Sequence, residues 1–209
     1  MIPDKLALFF RKILTPIIKT MSKLGITPLG LTLTGLLITL LSAVLLCFGY
    51  LRLGAVVLIL ASIFDTLDGS LARYSNKQSD FGAFLDSSLD RISEFIILAS
   101  LVYWAIFLSA WTPFKKNTFI LVSFGVLFCS LFTSYVKARA EGLKYKFKGG
   151  FFSRPERVIW LTVILLLGKY FLYWGMLLLL VFTLITSIER FFKIKGIISA
   201  GGKNGQQES

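Results

Sequence analysis

The sequence predicts an all-α integral membrane protein, with six transmembrane helices preceded by an N-terminal amphipathic helix at the membrane interface. Its composition is 56% hydrophobic and 15% aromatic, with a mean hydropathy of +0.76, too apolar for an ordinary soluble domain. The net charge is +12, and the basic residues sit between long apolar runs. That placement points to anionic lipid headgroups and phosphorylated substrates, not to nucleic acid. The length of 209 residues fits one domain, expected over 1–198, and the Gly-, Gln- and Ser-containing segment 199–209 reads as a disordered tail.

Each element follows from its local pattern. Over 1–24, Leu6, Phe9, Phe10, Ile13, Leu14, Ile17 and Ile18 recur at three- and four-residue spacing, with Lys5, Arg11, Lys12, Lys19 and Lys23 between them. That is the signature of a helix lying in the headgroup plane. Residues 25–51 carry no charge until the following arginine and exceed the roughly 20 residues a crossing needs. A second span is expected over 53–73, a third over 82–110 and a fourth over 117–141. Pro155 opens a fifth helix, Gly168-Lys169 begins its exit, and 174–188 carries a sixth.

Orientation is expected from the cations. The N-terminus, the second–third link, the fourth–fifth link and the C-terminus hold nearly all Lys and Arg, whereas the opposite loops hold Arg52, Lys115, Lys116 and Lys169. The positive-inside rule then places both termini on the cytoplasmic side of the cell membrane. Tyr103, Trp104, Trp111, Trp160, Tyr170 and Trp174 read as interfacial belts.

Charged groups within spans are costly and usually functional. Of 11 acidic residues, Asp65, Asp68, Asp80, Asp86 and Asp90 fall within one short stretch. Asp65 and Asp68 are three apart and share a helix face, as do Asp86 and Asp90 at four apart. The link 74–81 turns the two helices into an antiparallel pair, so four carboxylates converge. Their mutual repulsion in a low dielectric calls for cations. Hard divalent metals with oxygen ligands supply them, and two such ions neutralise a diphosphate and its leaving group. Gly69 and Gly82 flank the acids, suited both to close nucleotide approach and to small-residue helix packing. Arg73 suits either a phosphate oxygen or an interfacial snorkelling position. Histidine is absent, so acid–base chemistry falls to other side chains. Cys47 and Cys129 lie in apolar stretches and offer neither a disulfide framework nor a zinc spacing.

The run Asp65-Thr-Leu-Asp68-Gly69-Ser-Leu-Ala72-Arg73, then Gly82, Asp86 and Asp90, resembles the complete signature of the CDP-alcohol phosphotransferase family, with all eight fixed positions matched. The resemblance implies a phosphatidyl group moved from a CDP-linked lipid such as CDP-diacylglycerol to an alcohol, with release of CMP. It implies two divalent cations, Mg2+ or Mn2+, on Asp65, Asp68, Asp86 and Asp90. Asp90 would also take the proton from the acceptor hydroxyl. Asp68, Gly69, Ala72, Arg73 and Gly82 would line the CDP site, in a homodimer surrounded by membrane lipid. The sequence departs from the family at Leu29, where Asn or Asp often follows the Thr-Pro pair, although Thr32 is kept.

A second basic cluster bears on the acceptor. Ser134, Lys137, Arg139, Arg154, Arg157 and Arg190 fall at the cytoplasmic ends of the last three helices. Arginine binds phosphate in a fork, whereas Lys144, Lys146 and Lys148 answer to the positive-inside rule alone. The wording around Ser134-Tyr-Val-Lys137 and Arg154-Pro-Glu-Arg157 resembles the phosphatidylinositol phosphate synthases and archaeal counterparts. That likeness implies that Ser134, Lys137, Arg154, Arg157 and Arg190 grip an inositol phosphate. Glycerol 3-phosphate, and hence phosphatidylglycerol phosphate synthesis, is the alternative acceptor. Two other classes use intramembrane carboxylates. Membrane prenyltransferases lack the Asp-Gly-x-x-Ala-Arg continuation, and ion-coupled transporters often show repeated halves, which are not evident here.

Overall fold

The computed structural model describes residues 15–145 and 152–205, with side chains described through 199. Seven helices occur among them. The described chain opens in helix over 15–23 (α1). There follow α2 (Pro28–Cys47), α3 (Leu51–Tyr74), α4 (Asp80–Phe107), α5 (Pro113–Gly142), α6 (Arg154–Leu167) and α7 (Lys169–Gly205).

Local chemistry sets the helix starts. Thr27 caps α2 by accepting from the Gly30 amide, with Pro28 in the first turn. Thr112 and Pro113 repeat that pairing at α5. Ser79 caps α4 by accepting from the Gly82 amide at 3.0 Å. A hydroxyl at the cap satisfies an amide that the helix leaves open, and proline loses nothing there because its missing N–H had no partner. Gly168, at φ +89°, makes the turn between α6 and α7, a conformation that favours glycine.

The helices form one bundle, with α2 against α3 and α4, α3 against α6, α5 against α4 and α7, and α6 against α7. Its core runs through Leu46, Ala55, Leu101, Phe119, Leu165 and Met176. Small residues bring helices close. A Cβ added at Gly54 would lie 2.7 Å from Leu46 Cδ2, and the Ser42 hydroxyl donates to the Gly54 carbonyl at 2.8 Å. Ile18 of α1 is buried with Leu31, Leu67 and Leu71, so α1 docks where α2 and α3 meet.

The outer surface is apolar. Leu37, Phe124, Phe128 and Leu184 are among many large exposed hydrophobic side chains, a surface suited to lipid and not to water. Four helices, α2, α3, α5 and α7, are long and apolar enough to cross a bilayer. The protein is an all-helical membrane protein. Of the other three, α4 and α6 differ from a simple apolar span. The first half of α4 carries Asp80, Asp86, Asp90, Arg91 and Glu94, and α6 has 14 residues, about 21 Å of rise against a hydrocarbon core of about 30 Å.

Two expectations change, and a third lies largely outside the described residues. The last helix does not stop near 188 but continues through Gly205, so 199–205 is helical rather than a disordered tail, and 206–209 lie outside the described residues. Of the expected interfacial helix over 1–24, residues 1–14 lie outside the described residues. The aromatic belt divides. Tyr170 and Trp174 are well exposed, but Trp104 is buried and packs edge-on against Trp111, which in turn meets Phe119 and Tyr173. Trp160 is partly buried and donates its indole N–H to the Gly175 carbonyl at 2.9 Å. Trp104 and Trp111 thus pack edge-on where α4 gives way to α5, and Trp160 ties the middle of α6 to α7.

Candidate active site

The C-terminal half of α3 and the N-terminal half of α4 bring the acids together. Asp65, Asp68 and Asp86 each place one carboxylate oxygen within 4.8 Å of the others. Asp68 is buried, and Asp65 and Asp86 are partly exposed. The Thr32 hydroxyl of α2 donates to Asp68 Oδ2 at 2.6 Å, which fixes that carboxylate from a third helix. Three oxygen donors at this spacing fit a hard divalent cation. Asp80, the remaining acid of the stretch, is exposed at the first turn of α4.

Asp90 stands apart from the trio. Its Oδ1 meets Arg154 Nη2 at 2.6 Å, and its Oδ2 lies 3.4 Å from Arg91 Nη1. Arg154 Nη1 also reaches Asp65 Oδ2 at 3.0 Å. The guanidinium at the start of α6 therefore bridges a carboxylate of α3 and one of α4. A second ion pair lies beneath the first. Arg157 Nε donates to Glu94 Oε1 at 3.1 Å, and the Ser130 hydroxyl donates to the same oxygen at 2.6 Å. Glu94 is one turn beyond Asp90 on α4, and Arg157 is one turn beyond Arg154 on α6.

These groups open onto a cavity of about 550 Å³ between α2, α3, α4 and α6. One end carries Thr32, Asp65, Asp90 and Arg154; the walls are apolar, with Leu36, Leu58, Ile97 and Leu161 among them. A charged end on an apolar shaft suits an amphiphile with a phosphorylated head.

The remaining expected site residues are placed as follows. Gly69 and Ala72 lie on the last turns of α3. Arg73 is exposed beside them, with Nη2 3.1 Å from Ser70 Oγ. Gly82 has a local reason for lacking a side chain, since an added Cβ would sit 3.1 Å from the capping Ser79 hydroxyl. Arg190 is buried on α7, donates to the Thr133 carbonyl at 3.1 Å, and lies within electrostatic reach of Arg157. Ser134 follows Thr133 on α5, its hydroxyl on the Ser130 carbonyl. Lys137 is exposed and 3.6 Å from Glu141 in its own helix. The structure thus sets Arg154 between α3 and α4, places Arg157 within electrostatic reach of Arg190, and leaves Lys137 turned to Glu141. Glu94 and Ser130 were not among the expected site residues. Spacing could have found Glu94, because it continues the four-residue series Asp86, Asp90, Glu94. Nothing local marks Ser130.

Comparison with known proteins agrees with this arrangement. The pattern of the CDP-alcohol phosphatidyltransferase family matches residues 26–188. The phosphatidylinositol phosphate synthase of Mycobacterium tuberculosis is 34% identical over 193 residues, covering 87% of this chain and 85% of that protein. Its crystal structure with CDP-DAG bound superposes with a TM-score of 0.78 at 32% identity, over 88% of this chain and 94% of that one. Its structure in complex with manganese and citrate gives 0.77, also at 32% identity, over 87% and 88%.

Proposed function

This chain belongs to the CDP-alcohol phosphatidyltransferase family, and from that premise we propose that it transfers the phosphatidyl group of CDP-diacylglycerol to an inositol phosphate, releasing CMP. The observation that carries the reading is the acidic trio beside the Arg154-bridged Asp90, with Asp65, Asp90 and Arg154 lining one amphipathic cavity. Relatives named phosphatidylinositol phosphate synthase, about one-third identical over most of the chain, support the acceptor.

Asp65, Asp68 and Asp86 would hold divalent metal, Mg2+ or Mn2+, with Asp90 joining them to complete a two-ion site. Bound there, the ions supply charge neutralisation for the diphosphate and for the departing CMP. Thr32 orients Asp68 for that task. Gly69, Ala72, Arg73 and Gly82 border the nucleotide where α3 ends and α4 begins. Arg154, Arg157 and Arg190, with Ser134 and Lys137, receive the acceptor phosphate. Asp90 takes the acceptor hydroxyl proton as that oxygen attacks the lipid-bearing phosphorus and the bond to CMP breaks. Arg154 must turn from Asp90 to the acceptor phosphate for this to happen, which frees the carboxylate as the substrate arrives.

All six helices from α2 to α7 would cross the membrane, the short α6 and acid-bearing α4 included. Their acidic ends and both termini would be cytoplasmic, as the cation distribution supports. The working unit is a homodimer.

The test is CMP release by purified protein with Mg2+ and CDP-diacylglycerol, comparing inositol 1-phosphate, glycerol 3-phosphate, free inositol and serine. Release driven by inositol 1-phosphate is expected. Release driven only by another acceptor would keep the aspartate chemistry and overturn the assignment of the arginine cluster.

A further inference from the structure

Glu94 is an acid without a place in the transfer chemistry, yet it sits in the cavity wall one turn below Asp90. Its side chain is 17% exposed and that of Arg157 is 7%. A carboxylate at that depth is costly unless well paired. Its Oε1 is doubly engaged, by Arg157 Nε from α6 and by the Ser130 hydroxyl from α5. Three helices therefore converge on one oxygen.

The nitrogen that Glu94 takes is the informative detail. Guanidinium is planar, and its terminal nitrogens form the fork that matches a phosphate. A carboxylate on the terminal pair would occupy that fork. A carboxylate on Nε instead fixes the plane and leaves the terminal pair available. Among the described residues, the bond to Glu94 is the hydrogen bond that Arg157 makes. Arg154, one turn away, is held the other way, with both terminal nitrogens on Asp90 and Asp65. The two arginines of α6 thus meet α4 in two rungs. The upper rung must open for the reaction, and the lower is clamped by a third helix.

We infer that Glu94 is a positioning residue for the acceptor site. Through Nε it holds the Arg157 guanidinium so that its fork faces an incoming phosphomonoester, and Ser130 holds Glu94 in turn. The inference rests on the proposed role of Arg157 in acceptor binding. Its consequence falls on the acceptor KM, because the hydrogen bonds of Glu94 run to Arg157 and Ser130 and not to the metal-binding acids.

The experiment measures CMP release by full-length protein with inositol 1-phosphate and CDP-diacylglycerol each varied. The variants are Glu94→Gln, Ser130→Ala, Arg157→Ala and the double variant Glu94→Gln/Arg157→Ala, with thermal unfolding in detergent as the check on folding. Loss of the charged acceptor in Glu94→Gln is expected to raise the inositol phosphate KM about tenfold, with kcat and the CDP-diacylglycerol KM within about twofold. Ser130→Ala is expected to raise the same KM about threefold. The double variant should be no worse than Arg157→Ala alone, since Glu94 acts through that side chain. An unchanged acceptor KM in Arg157→Ala would overturn the acceptor role of Arg157 and this inference with it. A raised KM in Arg157→Ala beside an unchanged KM in folded Glu94→Gln would overturn this inference alone, as would multiplicative effects in the double variant. If Glu94→Gln does not fold, Ser130→Ala decides, because it keeps both charges; an unchanged acceptor KM there overturns the inference.

Discussion

The site's individual residues are distinguished by their partners more than by their type. Asp65, Asp68, Asp86 and Asp90 are chemically identical, yet Asp68 answers to Thr32, and Asp90 to Arg154 and Arg91. Asp90→Asn keeps the shape and removes the base. We expect it to lower kcat by about 10²–10⁴-fold while CDP-diacylglycerol still binds, as read by single-turnover CMP release and by ligand-induced thermal stabilisation. Turnover near wild type would remove Asp90 as the base. Thr32→Val deletes the hydroxyl at 2.6 Å from Asp68. Partners that orient metal ligands are worth about 10–100-fold in metal affinity, so calorimetric Mn2+ titration should show a loss in that range. An affinity equal to wild type would mean that Asp68 does not depend on α2.

The helices work as rigid carriers whose close approaches are set by small residues. Gly54 on α3 faces Leu46 and the Ser42 carbonyl of α2, and an added Cβ would crowd Leu46 Cδ2 at 2.7 Å. Gly54→Ala is expected to destabilise the bundle by about 1–3 kcal/mol through overpacking. Gly142, at the end of α5, has nothing within 4 Å of the same added atom, and Gly142→Ala should stay within about 0.5 kcal/mol. Thermal unfolding in detergent ranks the two. Equal effects would show that the α2–α3 seam is looser than its geometry states. The same seam carries Thr32 to Asp68, so its packing and the placement of the acid are one problem. The short α6 has a comparable dependence. Its C-terminal carbonyl at Leu166 receives the Arg52 Nε at 3.2 Å, and its other end presents Arg154 and Arg157.

At the level of the whole molecule, charge and apolar surface are divided along the bundle axis. Acids and arginines gather at one end of the cavity, and apolar side chains cover the outer faces. Single cysteines at Lys77, in the α3–α4 link, and at Thr112, before α5, test the proposed orientation in a background lacking Cys47 and Cys129. A membrane-impermeant maleimide should label the first in inverted vesicles and the second in intact cells; the reverse pattern would invert the topology. Rigorous chelation should abolish CMP release, and Mg2+ or Mn2+ should restore it. Activity that persists through chelation would sink the metal reading of the acidic trio.

The sequence alone determined the membrane class and the acidic constellation, because each is a short-range property. Apolar length and three- and four-residue spacing are written within a few positions of one another. It also marked Arg154, Arg157 and Arg190 as cations beyond a simple surface count. It misread 199–205, whose Gly- and Ser-containing composition argues against the helix that α7 continues, and it assigned Trp104, Trp111 and Trp160 to a belt because amphipathic rings look alike at an interface and at a helix junction. Only the tertiary structure decided which acid meets which cation. Asp65 and Arg154 are separated by 89 positions, and Glu94 and Ser130 by 36. Those pairings depend on how α3, α4, α5 and α6 cross, and the crossing is fixed by side-chain packing among helices rather than by any local pattern.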